Sequence, residues 1–406
     1  MIEWGEQHLA IRDAFRRFVD AEIKPRREEL EHGDTPPYEV LRKMFTTFGL
    51  RDMSLMRYEA DLAKADKAAD GSDEKVGKAN PMAGEMAAMQ MIPIIELSRH
   101  SPGMVTALGV SAGLTAGTIM SRGTRAQKER WAKDLLTLDT IGAWAITEPG
   151  SGSDAFGQMK ASARRVEGGY VLNGNKTFIT NGPWADTIVF ICKLDEGNDP
   201  KDRKVLSFVL EKGMKGLDQT KPFRKMGMHS SPTGELFLSD VFVEKDRLLG
   251  ETEEVSYRTG AKDTFKSERT GVVAMALGIV QQCLDLSVEY AKTRVQFGRP
   301  IGDFQLIQLK LAKMEVARMN IQNLVFRIIE LAGAGKAMTL AEASACKLYC
   351  AQTATEVALE AVQLFGGNGY TAEYPVEQLA RDAKVLQIYG GTDEIQISQI
   401  ARSLLG

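Results

Sequence analysis

Residues Thr147–Asp154 (TEPGSGSD) combine small side chains with hydroxyl groups, a combination that suits a polar ligand. Glycine lets backbone N–H groups approach a ligand closely, and the hydroxyls of Thr147, Ser151 and Ser153 supply adjustable hydrogen bonds. The same composition is typical of a polar loop that links a helical region to a strand. The run therefore indicates either a binding loop or a plain linker.

Two further glycine-containing runs, Arg294–Gly298 (RVQFG) and Gly366–Tyr370 (GGNGY), stand at the ends of helical stretches. Arg294 could clamp a phosphate, and the glycines of the second run could let the backbone contact a ligand. Both runs suit a helix C-terminal cap equally well. A Rossmann phosphate loop is excluded, because the sequence has no strand–glycine turn–helix unit.

Glu268 stands in the run Lys266–Arg269 (KSER), at the start of a predicted helix. A carboxylate in the first turn is favoured by the helix macrodipole and pairs readily with a neighbouring lysine or arginine. These residues alone therefore favour a structural role for Glu268.

Length and composition describe an ordinary soluble multidomain chain. It has 406 residues, of which 44% are hydrophobic and 26% charged, so two or three domains are expected. A formal net charge of -3 excludes the broad basic field that nucleic-acid binding needs. The acidic segment Met1–Glu6 and the shortness of the longest apolar run, Val272–Val280, predict a cytoplasmic protein without a membrane span.

The four cysteines fit a reducing compartment. Cys346 and Cys350 are four residues apart, so a helix would place both on one face, where they could bind a metal. No histidine stands nearby to complete such a site. We therefore expect two small core residues and no metal.

Three regions with different hydrophobic patterns predict an α+β multidomain fold. Hydrophobic residues recur at helical spacing over Glu6–Asp139, short β-favouring runs fill Trp144–Val243, and long amphipathic stretches occupy Lys262–Ser403. We place an N-terminal α-helical domain at 1–141, a β-barrel or sandwich domain at 142–247 and a C-terminal four-helix bundle at 248–406. One polar stretch, Glu59–Gly77, is predicted to be a solvated loop or a short polar helix.

Five runs share the order and spacing of one known family, the acyl-CoA dehydrogenases, and the resemblance covers nearly the whole chain. The runs are Thr147–Asp154, Phe178–Thr180, Arg294–Gly298, Gly366–Tyr370 and Tyr389–Gln396 (YGGTDEIQ). The resemblance implies FAD between the β-domain and the bundle, an acyl-CoA substrate and a homotetramer. It also implies an electron-transferring flavoprotein as the electron acceptor.

The same resemblance implies the residues of the cofactor site. They are Ile146, Thr147, Ser153, Phe178, Ile179 and Thr180 around the flavin ring, Arg294, Phe297 and Gln305 toward the FAD of a neighbouring subunit, and Gln363, Gly366, Gly367, Thr392 and Glu394 at the rest of the dinucleotide. Hydroxyl and arginine donors suit a pyrophosphate and a reduced flavin that carries negative charge.

The catalytic base departs from the commonest pattern of the family. Dehydrogenation removes an α proton from an acyl thioester while a hydride leaves the β carbon, so a carboxylate must face the substrate. Many family members carry that glutamate at the position that is Gly390 here. Members resembling the isovaleryl and long-chain types place it before an arginine at the start of the first bundle helix, where this chain has Glu268 and Arg269. Glu268 is therefore the predicted base, and Ser153, Arg269 and Gly390 are predicted to contact the substrate.

Gly109, Gly113 and Gly117 are spaced four apart, so a helix would carry all three on one face. Because glycine has no side chain, another helix or a ligand can approach this face closely. A tightly packed helix is the expected neighbour, and a deep channel for a long or bulky acyl chain is the alternative.

Other functions of the same architecture stay open at this stage. Acyl-CoA oxidases and flavin monooxygenases are the oxygen-using alternatives. A non-catalytic flavin- or CoA-binding scaffold is the alternative from another class, and Glu268 argues against it.

Overall fold

The computed structural model describes residues 3–33, 35–69, 81–254 and 257–406, with the side chains of all of these except 67–69, 81 and 257–267. The N-terminal region is helical, as predicted. Its α-helices are α1 (Glu6–Phe18), α2 (Arg27–His32), α3 (Tyr38–Thr47), α4 (Leu50–Ala69), α5 (Pro81–Ser98), α6 (Pro102–Leu108), α7 (Ala116–Arg122), α8 (Arg125–Gln127) and α9 (Lys133–Leu136). A π-helical turn, Gly109–Thr115, joins α6 to α7 without a break.

Helix α4 contains the first part of the polar stretch Glu59–Gly77, for which the sequence predicts a solvated loop or a short polar helix. The helix continues to Ala69, so the first half of that stretch extends a long helix, and residues 70–77 lie outside the described part of the chain. Tyr58 and Leu62 are buried one turn apart on α4 and share a core cluster with Trp131. These two apolar contacts hold the helix, because most of its other described residues are exposed.

The middle region forms one curled seven-stranded sheet, a half-barrel, where the sequence suggested a barrel or sandwich. Its strands are β1 (Gly142–Ala145), β2 (Ser162–Val166), β3 (Gly169–Thr180), β4 (Thr187–Leu194), β5 (Val205–Glu211), β6 (Leu217–Gln219) and β7 (Thr233–Glu244). The strand order is β1-β4-β2-β3-β7-β6, with β5 paired to β4. Every residue of β4 is buried, which explains its unbroken Val/Ile/Phe-rich sequence.

The C-terminal region is helical, as predicted, with five α-helices where a four-helix bundle is expected. Its elements are a small hairpin of β8 (Val295–Gln296) and β9 (Arg299–Pro300) and the α-helices α10 (Tyr257–Thr293), α11 (Gln305–Gly333), α12 (Leu340–Phe365), α13 (Pro375–Val385) and α14 (Asp393–Leu405). Gly390 and Gly391, with φ of 62° and 88°, form the turn between α13 and α14. The proposed domain boundaries at 141/142 and 247/248 stay predictions.

Two helical stretches, Pro102–Arg122 and Glu268–Thr293, are long and apolar enough to cross a membrane by length and composition. In the second, residues Val272–Val280 are almost completely buried in the main hydrophobic core. Apolar content in α10 is therefore explained by packing inside the protein. Cys346 and Cys350 are buried in the same core, as expected for small core residues.

Candidate active site

Glu268 and Gly390 meet in space although 122 positions of sequence separate them, as their numbers show. Glu268 lies on α10, and Gly390 lies in the turn before α14. A Cβ at Gly390 would be 3.3 Å from the Cδ and 3.4 Å from the Oε1 of Glu268. The family resemblance predicts a base at one of these two positions. Both positions face the same space, and only Glu268 carries a carboxylate.

The Glu268 carboxylate is poised to accept a proton. Burial raises its pKa to about 6, although the positive charges of Arg269 and Lys347 act to lower it. Among the residues whose side chains are described, none donates a hydrogen bond to this carboxylate. A carboxylate that is ionised at neutral pH, yet has a raised proton affinity, suits general-base chemistry.

Arg269 is turned into the protein beside this base. Its side chain is 4% exposed, and its Nη1 donates to the hydroxyl of Ser344 at 2.9 Å. Its Nη2 would lie 3.6 Å from a Cβ at Gly391, so the guanidinium packs against the glycine turn. Burial lowers the pKa of Arg269. The predicted contact between Arg269 and substrate stays a prediction.

Two buried residues that the sequence did not single out hold the glycine turn in place. Lys347 on α12 donates from Nζ to the carbonyl of Gly391 at 2.9 Å. Gln396 on α14 donates from Nε2 to the carbonyls of Gly390 at 3.1 Å and Gly391 at 2.7 Å. Neither side chain has measurable exposure. A lysine in the otherwise small and apolar buried face of α12 is the one sequence signal that could have found this arrangement.

The residues predicted to surround the flavin ring lie where the Thr147–Asp154 run contacts the end of β3. The Thr177 N–H donates to the carbonyl of Thr147 at 2.9 Å, which brings Ile146 and Thr147 beside the Phe178–Thr180 segment. Pairing between β3 and β7 shifts register between Lys176 and Ile179. At this irregularity Phe178 adopts a φ of 56° and is 68% exposed. A bulky aromatic residue in a left-handed conformation carries backbone strain, which is often found at functional sites.

Ser153 lies exposed in the loop that follows Thr147. Glu148 in the same run is buried and accepts hydrogen bonds from the backbone N–H groups of Lys160 at 2.7 Å and Ala161 at 2.9 Å. The sequence places Glu148 within the Thr147–Asp154 run and predicts no role for it. Its position at the centre of the loop is a feature that only the folded chain reveals.

The residues predicted to contact the FAD of a neighbouring subunit lie around the C-terminal end of α10. Arg294 leads into the β8–β9 hairpin, whose turn residues Phe297 and Gly298 have φ of 52° and 78°. Phe297 is 93% exposed at the tip, and Gln305 is exposed at the start of α11. The hairpin therefore presents its predicted contacts outward, as a contact with a neighbouring subunit would require.

The remaining predicted dinucleotide residues are divided between two helix ends. Gln363, Gly366 and Gly367 are exposed at the end of α12, and a Cβ at either glycine would have no atom within 4 Å. Thr392 caps α14 by accepting from the Ile395 N–H, and Glu394 is exposed in the first turn of that helix. The open backbone at the two glycines and the nearby hydroxyl fit a phosphate-containing cofactor such as FAD.

The face of Gly109, Gly113 and Gly117 is open. All three are exposed, and a Cβ at any of them would have no atom within 4 Å. The expected tight packing of another helix is therefore wrong within this chain. Gly271, three residues after Glu268 on α10, is likewise open.

A helical region, a curled sheet and a helical bundle, with the Glu268 carboxylate facing the glycine turn, define the class as a flavoprotein oxidoreductase. The chain belongs to the acyl-CoA dehydrogenase family. The family model for the acyl-CoA dehydrogenase middle domain matches residues 143–241, and that for the C-terminal domain matches residues 259–405.

Curated relatives agree with this assignment. A short-chain-specific acyl-CoA dehydrogenase of Megasphaera elsdenii is 38% identical over 82% of this chain and 85% of its own. An isovaleryl-CoA dehydrogenase of Oryza sativa is 39% identical over 77% of this chain and 75% of its own. A 3-(aryl)acrylate reductase of Clostridium sporogenes is 36% identical over 98% of this chain and 99% of its own. These relatives support acyl-CoA dehydrogenation, and they do not support the oxidase alternative.

Solved structures show the same fold over the full chain. Butyryl-CoA dehydrogenase of Megasphaera elsdenii has a TM-score of 0.84 at 32% identity and covers 100% of both chains. A chain from the structure of the electron-transferring flavoprotein of Acidaminococcus fermentans has a TM-score of 0.81 at 32% identity, over 100% of this chain and 99% of that one. A glutaryl-CoA dehydrogenase of Mycobacterium smegmatis in complex with FADH2 has a TM-score of 0.83 at 26% identity, over 99% and 95%.

Proposed function

We propose that the chain converts an acyl-CoA thioester to the trans-2-enoyl-CoA, with Glu268 as the base that removes the α proton. The single observation that carries the assignment is the juxtaposition of Glu268 and Gly390. The carboxylate stands where the family's other base position would place one, and its pKa is raised to about 6 by burial.

The residues around Glu268 perform separate tasks in this proposal. Glu268 accepts the α proton, and the N–H of Gly390 binds the thioester carbonyl, which stabilises negative charge as the proton leaves. Lys347 and Gln396 fix the turn by donating to its carbonyls. FAD, when bound, accepts the hydride from the β carbon. Lys347 also keeps a positive charge near Glu268, which favours the ionised base at neutral pH.

FAD would be held by three sets of residues. Ile146, Thr147 and the segment Phe178–Thr180 would contact the flavin ring, with Ser153 near the ring and the CoA portion of the substrate. The open glycines Gly366 and Gly367 would let the backbone contact the remaining dinucleotide, as their empty surroundings support. The remaining contacts would come from Gln363, Thr392 and Glu394 and, toward a neighbouring subunit, from Arg294, Phe297 and Gln305.

A homotetramer and an electron-transferring flavoprotein complete the proposal. Leu306, Leu309 and Val316 on α11 are 74%, 51% and 58% exposed, which leaves an apolar stripe along the outer face of that helix. Such stripes are typical of subunit interfaces. The likeness to a chain from an electron-transferring flavoprotein structure supports that class of electron acceptor. A cytoplasmic location is proposed with it.

Long, branched or bulky acyl chains are the proposed substrates. The open face of Gly109, Gly113 and Gly117 and the open position at Gly271 leave room where side chains would otherwise intrude. A π-helical turn at Gly109–Thr115 supports a functional role for this helix, because such turns often mark functional sites.

Anaerobic flavin bleaching across a panel of acyl-CoAs tests the activity and the chain length together. We expect a yellow, FAD-containing protein of four-subunit mass in light scattering whose flavin is bleached fastest by long or branched acyl-CoAs. A colourless monomer that gains no flavin on reconstitution would contradict the proposal. Hydrogen peroxide formation in place of reduction of an artificial acceptor would favour an oxidase.

A further inference from the structure

A buried ion pair lies beneath the two segments that would contact the flavin ring. Lys176 on β3 donates from Nζ to Oε1 of Glu148 at 2.9 Å, and the side chains are 0% and 6% exposed. The Lys176 ammonium also lies 5.3 Å from the centroid of the Phe190 ring. The charges are thus paired with each other and withdrawn from water.

This ion pair fixes the backbone that precedes Thr147. The same Nζ of Lys176 donates to the carbonyl of Ile146 at 2.9 Å. In a trans peptide the C=O and the following N–H point in opposite directions, so the N–H of Thr147 points away from Lys176. The Thr147 carbonyl is held in turn by the Thr177 N–H. One lysine and its neighbour therefore set the orientation of two successive peptides.

The ion pair also connects the two segments with each other. Glu148 belongs to the Thr147–Asp154 run, and Lys176 stands two residues before Phe178, whose left-handed backbone presents its ring outward. A buried ion pair is on average no more stabilising than a well-packed apolar pair, because removing both charges from water costs about as much as their attraction gains. Stability alone therefore does not account for its presence here.

We propose that Glu148 and Lys176 are positioning residues that hold the Ile146–Thr147 peptide and the Phe178–Thr180 segment in register against the flavin ring. The inference rests on the proposed FAD site. Its ligand is the polar edge of the flavin ring, which the Thr147 N–H and hydroxyl would meet. Neither ion-pair side chain itself contacts the cofactor.

Reconstitution of the apoprotein with FAD tests this assignment in three variants. Lys176→Met removes the donor to Ile146, Glu148→Gln weakens the pair, and the double variant removes both charges. We expect Lys176→Met to raise the FAD dissociation constant by about tenfold or more and to shift the flavin absorption maximum, because the Thr147 peptide loses its anchor. The double variant should regain unfolding temperature, since no unpaired charge is left buried, but it should keep the flavin defect.

Lys193 provides the matched control in the same sheet. It is a lysine on β4 with 2% exposure whose Nζ donates to the Gly157 carbonyl at 3.1 Å. Lys193→Met should lower the unfolding temperature without changing FAD affinity or spectrum. Equal FAD affinity and spectrum in wild type and both Lys176 variants would overturn the inference. So would a flavin defect of the same size in Lys193→Met.

The two proposals fail in different ways. A wild-type protein that binds no FAD would contradict the proposed function. A wild-type protein that binds FAD, alongside an unaltered Lys176→Met variant, would contradict only the positioning role.

Discussion

Glu148 and Glu268 are two carboxylates of the same chain, the first buried and the second half-buried, and their surroundings differ. Glu148 is 6% exposed and receives three donors, the N–H groups of Lys160 and Ala161 and the ammonium of Lys176. Glu268 receives no hydrogen bond from any residue whose side chain is described, and only the nearby charges of Arg269 and Lys347 favour its ionised form. One carboxylate is fully satisfied, whereas the other keeps its capacity to bind a proton.

The difference indicates the task of each residue. A carboxylate with several donors is fixed in position, so it suits the scaffold of a loop. A carboxylate without donors whose pKa is raised keeps a high proton affinity, as general-base chemistry requires. The difference supports the proposed roles, Glu268 as the reactive group and Glu148 as structural support for the flavin segments.

Substitution of Glu268 by its amide should lower turnover and leave the cofactor site intact. Glu268→Gln keeps the shape but cannot accept the α proton, so turnover should fall by about 10²–10⁴-fold. Its FAD content and product binding should persist, because no proposed cofactor contact involves this side chain. Steady-state turnover and flavin absorbance measure both quantities. Glu289→Gln, an exposed carboxylate near the other end of α10, is the matched control and should keep wild-type turnover.

Moving the carboxylate tests whether the two base positions are equivalent in space. Glu268→Gly should be nearly inactive, and adding Gly390→Glu should restore part of the turnover, by about tenfold or more over Glu268→Gly. Recovery will be incomplete, because Gly390 has a φ of 62° and a side chain there is strained. Gly390→Glu alone should lower turnover, since its Cβ would lie 3.3 Å from the Glu268 carboxyl carbon. A double variant no better than Glu268→Gly would contradict the shared site.

The pH dependence should report the unpaired state of Glu268. Its functional form is the carboxylate, so kcat/KM should rise about tenfold per pH unit at low pH and level off above about pH 6. Lys347→Met removes a positive charge that lowers the pKa of Glu268, so the acid limb should move to higher pH. Lys336→Met, at an exposed position between α11 and α12, should leave the profile unchanged. An acid limb that stays in place in Lys347→Met would contradict this electrostatic account.

The smallest effect is expected at the open glycine face. Gly109→Leu should lower kcat/KM for long acyl-CoAs by a few-fold to about tenfold and leave butyryl-CoA turnover nearly unchanged, because the added side chain fills the channel. Gly109→Ala should raise the free energy of unfolding by about 0.5–1 kcal/mol, since its Cβ meets no atom and alanine favours the helix. Equal losses on every chain length would count against the channel.

The sequence was sufficient for features that repeat locally. Helical and alternating periodicities predicted the α–β–α order, whereas Glu268 became the candidate base only through the resemblance to the acyl-CoA dehydrogenases. It was insufficient where distant segments meet. The ion pair between Glu148 and Lys176 joins residues 28 positions apart, and the contact of Lys347 with Gly391 spans 44 positions.

The errors have the same physical origin. The polar stretch beginning at Glu59 belongs to a helix longer than the predicted short polar helix, because Tyr58 and Leu62 on that helix are buried. The face of Gly109 was expected to pack against another helix. Glycine spacing shows only that side chains are missing from this face and does not show what occupies the space. What fills the space depends on neighbours that only the folded chain defines.

Deuterium exchange at the α carbon tests the central claim most directly. An acyl-CoA analogue with sulfur in place of the β carbon has no hydride to give, so in D2O only the proton step can occur. We expect the FAD-loaded wild-type enzyme to exchange the α hydrogens of this analogue, as measured by NMR, and Glu268→Gln to exchange them at least 100-fold more slowly. Exchange at the wild-type rate in Glu268→Gln, with FAD and analogue both bound, would contradict the assignment of Glu268 as the base.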